Sequence, residues 1–185
     1  VSALVDAGVL ARFGLNPKDE RYTREPTKLW CLAKMQLERF TLDVAGCPES
    51  HLAPRWFGLQ LDGSFIDGLS RAWSGDVWAN VPFSIWHLWL PKAWLEWKRG
   101  RCSSISMLLP NDKTEQEPWQ TWVAERRDRR SSPLRTFEIP GRPRFATNET
   151  AGVQLSRGNG GSASGSPFFG CYLLGWHRRF LRGYA

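Results

Sequence analysis

Apolar and polar positions follow two rhythms along this chain, and the rhythm changes at glycines and prolines. From Glu25-Pro26 the residues Leu29, Leu32, Ala33, Leu37 and Phe40 recur at helical spacing, and proline suits a first helical turn. Phe40 to Ala45 is a short apolar run closed by Gly46, Cys47 and Pro48, which predicts a buried strand. Ser70 to Gly75 reads as a turn into a second strand, Val77-Trp78-Ala79, which delivers Asn80, Val81, Pro82 and Phe83 at its end. Helical spacing returns with Trp86, Leu90, Ala93, Trp94 and Trp97 and stops at Gly100. Ser103 to Leu109 is a β run closed by Pro110. Trp119 to Arg130 predicts a helix, Thr136 to Ile139 a strand, and Phe168 to Trp176 another strand beyond the Gly/Ser-rich stretch Arg157 to Gly165. Strands alternating with helices predict an α/β fold, a mainly parallel sheet sandwiched by helices. Ligands of such sheets bind beyond the carboxyl ends of strands, where Asp43 and Asn80 are both expected.

Composition narrows the class. A chain of 185 residues, 42% hydrophobic and 23% charged, fits one globular domain with a sizeable core. Eleven tryptophans are unusual; a buried indole needs a partner for its N–H, so some rings are expected at the surface, in a groove or against a partner. The most apolar stretch, Val81 to Trp97, is broken by His87, Pro91, Lys92 and Glu96 and cannot span a membrane. Val1 to Leu15 is mildly amphipathic without a secretory pattern, and the missing initiator methionine fits a processed or partial chain. The sequence divides into an extension (1–21), a domain (22–176) and a basic tail (177–185). Four cysteines lie far apart without a C-x-x-C pair, and three histidines are scattered, so no metal site is expected and the thiols are expected to be reduced and structural.

Charge is uneven. Residues 1–120 hold 14 basic and 14 acidic side chains, whereas residues 121–185 hold 11 arginines against 4 acids. Arginine's planar fork suits phosphate, so a polyanionic partner is one reading; an ordinary solvated arginine surface is the other.

A buried strand that stops at an amide, a proline and a ring suits a planar amino-bearing ring. The Asn80 side-chain oxygen and a neighbouring backbone carbonyl can accept from an exocyclic amino group, and Phe83 can stack on the ring face; Phe83 also reads as an ordinary core ring. The segment resembles the Asn-Pro-Pro-Tyr/Phe signature of amino-group methyltransferases acting on adenine. Over residues 22–176 the chain is similar to the phage-type (Dam-like) DNA N6-adenine methyltransferase family. The likeness runs through Arg24-Glu25-Pro26 with Leu29-Trp30, the run from Phe40 to Glu49, and Asp67-Gly68-Leu69 leading to Trp73. It continues through Asn80 to Ser84, Lys92-Ala93, Met107 to Pro110, Glu138 to Arg142 with Phe145, Gly158-Asn159-Gly160, and the strand after Ser166-Pro167-Phe168.

The resemblance implies a Rossmann-like S-adenosylmethionine-dependent fold and methyl transfer to the adenine amino group of DNA, with the base flipped out of the duplex. It implies a cofactor site of Pro26, Asp43, Ala45 and Asp67, and a catalytic turn of Asn80, Val81, Pro82 and Phe83. Arg126, Arg127, Arg129, Arg130 and Arg142 would meet DNA phosphates. Asp43 also reads as a helix N-cap beyond its strand. Three departures stand out: Val81 for the family's first proline, Glu25 for a threonine, and the insertion-like Leu59 to Ile66. They fit an alternative reading, a degenerate, non-catalytic fold serving a larger nucleoprotein or protein assembly. The compartment would be cytoplasmic in a prokaryotic or phage setting and nuclear or organellar in a eukaryotic one.

Overall fold

The structure, a computed structural model, describes residues 22–23, 25–48, 51–140, 145–146 and 170–182. Strand β1 (Tyr22–Thr23) leads into helix α1 (Glu25–Met35), β2 (Leu42–Gly46), β3 (Trp56–Leu59) and β4 (Phe65–Ile66). β5 (Gly75–Asn80), α2 (Trp86–Lys98) and β6 (Cys102–Pro110) follow. Then come a 3-10 turn (Asn111–Lys113), the short α3 (Glu117–Trp119) and a π turn (Gln120–Ala124). The remaining elements are β7 (Leu134–Glu138), β8 (Phe145–Ala146), β9 (Cys171–His177) and α4 (Arg179–Arg182).

β1 and β8 form a small antiparallel pair, and the other strands form one seven-stranded sheet in the order β4-β3-β2-β5-β6-β9-β7. β3, β2, β5 and β6 are mutually parallel. β9 is antiparallel to β6 and to β7, so β7 runs with β6; only β9 and β4 oppose the rest. The α/β reading and the prevailing parallel direction therefore hold, in a mixed sheet. From β2 the chain moves outward to β3 and β4, then crosses back to β5 on β2's other side. The carboxyl ends of β2 and β5 flank that reversal, where an open α/β sheet leaves its crevice.

Alternation sorts the core onto two faces. Leu42, Val44, Val77, Ala79, Ile105, Met107 and Leu109 pack with Trp86, Leu90, Ala93 and Trp94 of α2. Phe40, Trp78, Leu108 and Leu173 pack with Cys31, Leu32 and Met35 of α1. The buried stripe of α1 is rotated from the one its spacing predicts, since Leu29 is 57% exposed and Ala33 also faces out. Gly175 explains the rotation: a Cβ there would lie 2.3 Å from Met35 Sδ, so the bare strand admits Met35.

Three other expectations change. The helix predicted over Trp119 to Arg130 ends at Ala124. The Arg126 and Arg127 amides turn back onto the Val123 carbonyl, and Asp128 takes a left-handed φ of +58° while its carboxylate accepts from Thr136 N and Oγ1. The insertion-like Leu59 to Ile66 is the β3–β4 hairpin, closed by the Gln60 amide on the Ser64 carbonyl. Most tryptophans are interior: Trp73, Trp78, Trp86, Trp89, Trp94, Trp119 and Trp176 are buried, and only Trp30, Trp56, Trp97 and Trp122, which are half-buried, reach the surface in part. Backbone carbonyls serve some of these indoles: buried Trp73 and Trp94 and half-buried Trp56 donate their N–H to Gly68, Trp122 and Leu59, each at 2.8 Å, whereas the buried N–H groups of Trp89 and Trp176 have no hydrogen-bond partner among the described residues.

Cys31, Cys102 and Cys171 are buried free thiols, and burial pushes each pKa up to about 12, too high for thiolate chemistry. No helix among the described residues is long and apolar enough to cross a membrane. His177, which the sequence reading assigns to the basic tail, is the last residue of β9, opposite Ser104.

Candidate active site

β5 lies between β2 and β6 and is buried from Val77 onward. Its pleat sends Val77 and Ala79 toward α2, and Trp78 and Asn80 toward α1. Asn80 ends the strand opposite Leu108 and is 8% exposed. Pro82, which has no N–H for a ladder, follows at once, and its carbonyl accepts from Ile85 N at 3.2 Å before α2 begins. Across this turn the side chains divide. Val81 is buried in the α2-side core, while Phe83 is half-buried against the α1-side cluster, the face to which Asn80 belongs. The amide and ring that the sequence pairs thus share one side of the sheet.

Asp43 is the second residue of β2, opposite Trp78, so it lies inside its strand rather than at the strand's end. It is 3% exposed, and its oxygens accept from Ala45 N at 3.1 Å and Leu52 N at 3.0 Å. Burial raises its pKa to about 6, against the lowering pull of the Leu52 and Ala45 amides and nearby His51. One oxygen thus holds the backbone of β2 itself at Ala45 and the other ties in the segment beyond it at Leu52. Asp43 caps no helix, because none starts among the described residues between β2 and β3.

His51 stacks on Trp56 with centroids 4.0 Å apart, and its Nδ1 donates to the Cys47 carbonyl at 3.0 Å. A Cβ on Gly46 would come within 3.1 Å of the Cβ atoms of both residues and 3.4 Å of the Asp43 carboxyl carbon, so a larger residue here would require these neighbours to give by a few tenths of an ångström.

Asp67 is exposed and caps the turn that follows β4, accepting from Leu69 N at 2.9 Å. Its neighbour Gly68 lies so close to β2 that a Cβ would sit 2.2 Å from the Val44 carbonyl oxygen. This brings an exposed carboxylate to the carboxyl half of β2, near half-buried Ala45. Pro26 is in the first turn of α1. Asp67 is thus exposed beside β2, whereas Asp43 is buried with both oxygens on backbone amides.

The predicted phosphate contacts are not beside this crevice. β7 begins with Leu134, level through β9 and β6 with Val77, and Arg126, Arg127, Arg129 and Arg130 precede it. β7 is also three strands from β5, ~14 Å at ordinary strand spacing. The Arg126 guanidinium lies over the Trp94 and Trp122 rings at 5.7 and 5.5 Å, and Arg127 lies over Trp119 at 5.9 Å. Arg129 and Arg130 are exposed, and Arg142 is outside the described residues.

Sequence reading missed a buried hub on α2. Glu96 has no exposed side-chain surface and binds Lys92 at 2.8 Å, Arg99 at 2.5 Å, Arg101 at 2.9 Å and the Trp73 amide at 3.1 Å. The spacing of Lys92, Glu96 and Arg99 on one helix was the available signal. No family profile matches the chain, and no curated protein matches it.

Proposed function

We propose that the protein transfers a methyl group from S-adenosylmethionine to the exocyclic N6 amino group of adenine in DNA. The observation carrying this reading is that Asn80 closes a central parallel strand at the sheet's reversal point, on the same face as Phe83. The mixed sheet with helices on both faces is compatible with the Rossmann-like fold that the motifs imply.

S-adenosylmethionine supplies an electrophilic methyl carbon beside a sulfonium. Asp67 would hold its polar groups, with Pro26 and Ala45 lining the approach and Asp43 fixing the backbone beyond β2. Asn80 and the Val81 carbonyl accept from the N6 hydrogens, which aligns the nitrogen lone pair with the methyl carbon. The N–C bond forms as the S–C bond breaks, sulfur keeps the electron pair, and the excess N6 proton leaves to water. Phe83 supports the base face, since stacking on an aromatic ring contributes about 1–3 kcal/mol.

A second reading, a non-catalytic fold in a larger nucleoprotein or protein assembly, is favoured by the internal commitment of both Asp43 oxygens and by the distance of Arg126–Arg130 from the crevice. Calorimetry and radiolabel transfer separate the two. The methyltransferase reading expects S-adenosylmethionine to bind at micromolar strength, on the order of −7 to −8 kcal/mol. It also expects label in adenine-containing DNA, with Asn80→Ala lowering transfer by about 10²-fold or more and leaving cofactor affinity nearly unchanged. Val81→Pro should raise transfer, because a fixed φ preorganises the turn by roughly 0.4–1 kcal/mol. If folded wild type gives no binding heat, and neither it nor Val81→Pro transfers label, the methyltransferase reading fails and the second becomes the better one.

A further inference from the structure

The two rims of the sheet differ in charge. Around the carboxyl ends of the parallel strands, the exposed acids Asp62, Asp67, Asp112, Glu115, Glu117 and Glu138 outnumber the cations among the described residues. The other rim is basic. Arg55 precedes β3, Arg99 and Arg101 precede β6, Arg129 precedes β7, and Arg178 and Arg179 follow the reversed strand β9. All six are exposed.

Five of these arginines make internal side-chain bonds, and Arg129 is held through its backbone. Arg99 and Arg101 each bind the buried Glu96 carboxylate, yet their side chains stay 44% and 47% exposed. Glu96 carries one negative charge and meets three cations with Lys92, so it orients the pair without neutralising it. Arg178 Nη2 donates to the Gly100 carbonyl at 3.1 Å, between the two Glu96-bound residues, and Arg179 Nη1 reaches the Gln36 carbonyl at 3.4 Å. Arg55 Nη2 donates to Ser74 Oγ at 3.4 Å, and the Arg129 carbonyl is held by Arg135. A guanidinium has five N–H donors, so one or two internal bonds leave an outward fork.

We propose that this amino-end rim binds the phosphodiester backbone of a nucleic acid, at the opposite end of the sheet from the Asn80–Phe83 turn. Arginine forks match phosphate oxygens in pairs, and turns between neighbouring strands present them as a fixed row. A regularly charged polymer fits such a row, whereas an anionic lipid surface is served by flexible basic segments with apolar inserts. The surface does not rest on the methyl-transfer reading, and it fits either outcome for the active site.

The test is fluorescence anisotropy of the full chain with a labelled 20-nucleotide DNA, single-stranded and duplex, across a salt series. Melting curves verify that each variant folds. Arg178→Gln with Arg179→Gln should weaken binding at least tenfold at low salt and flatten the log–log salt slope by about 0.9 per lost phosphate on duplex or about 0.7 on single strand. Arg178→Lys with Arg179→Lys should recover the slope but only part of the affinity. Lys113→Gln, on the acidic rim, should change neither. Unchanged slope in the Arg178/Arg179 double variant, or an equal loss in Lys113→Gln, overturns the proposal. So does binding to phosphatidylserine vesicles by a wild-type protein that ignores both DNAs.

Discussion

At Asp43, burial and hydrogen bonding pull one carboxyl group in opposite directions. Burial is the stronger, and the folded pKa of about 6 stands above the usual 3.8. The folded state therefore binds the proton more tightly than the unfolded chain. Stability from this group is fully present below about pH 4 and is lost as pH rises through 6, by roughly 2–3 kcal/mol. Urea unfolding between pH 4 and 8 should reveal that fall, and Asp43→Asn should abolish it; equal slopes in both proteins would refute the assignment. The residue was legible as important from its place in an apolar run, but its role was not. A sequence gives no sign that Leu52, nine positions on, will return its amide to the same carboxylate. Asn80, Pro82 and Phe83 were more readable, because strand alternation and a proline stop are local and decide which side each chain takes.

Helix α2 shows how an element carries charge inside a core. Its apolar stripe was evident from spacing, yet the buried position after Leu95 is Glu96, bound by Lys92, Arg99 and Arg101. Burial works against the charged form, but Lys92, the Trp73 amide and Arg101 outweigh it and hold the pKa below 4.5. A depressed carboxyl contributes stability above its unfolded pKa and loses it as pH falls through the folded value, so acid unfolding below about pH 4 should depend on Glu96. Glu96→Gln is expected to cost about 3–5 kcal/mol, since Lys92 is left nearly buried without its partner. Arg99→Gln, at the exposed edge, should cost less than about 1 kcal/mol. Chemical denaturation at pH 7 measures both. The π turn before Arg126 gives a further expectation. Arg126 packs over two indoles, so Arg126→Ala should lower stability by about 1–2 kcal/mol through lost packing and leave the salt slope of DNA binding unchanged. A flattened slope would return Arg126 to the phosphate-binding set. The predicted helix there failed because the chain reverses at Asp128, whose partner Thr136 is a tertiary neighbour invisible to periodicity.

Over the whole molecule, the α/β class could be read from alternating patterns, since it follows from the order of strands and helices. The polarity of the two rims could not. The basic excess of residues 121–185 could be counted, but not where it would lie: strand direction gathers Arg129, ahead of β7, and Arg178, after the reversed β9, on the amino-end rim. That reversal also bears on how the protein is made. β9 comes after β7 in the chain yet lies between β6 and β7, so β7 has no strand partner until residues 171–177 have emerged from the ribosome. Until then the long apolar edge of β6 is open, a hazard for strand-to-strand association while synthesis continues. A nascent chain arrested before Cys171 should therefore stay sensitive to protease and engage chaperones. One extended past His177, clear of the exit tunnel, should become resistant in a single step, because the final strand closes both of its neighbours at once.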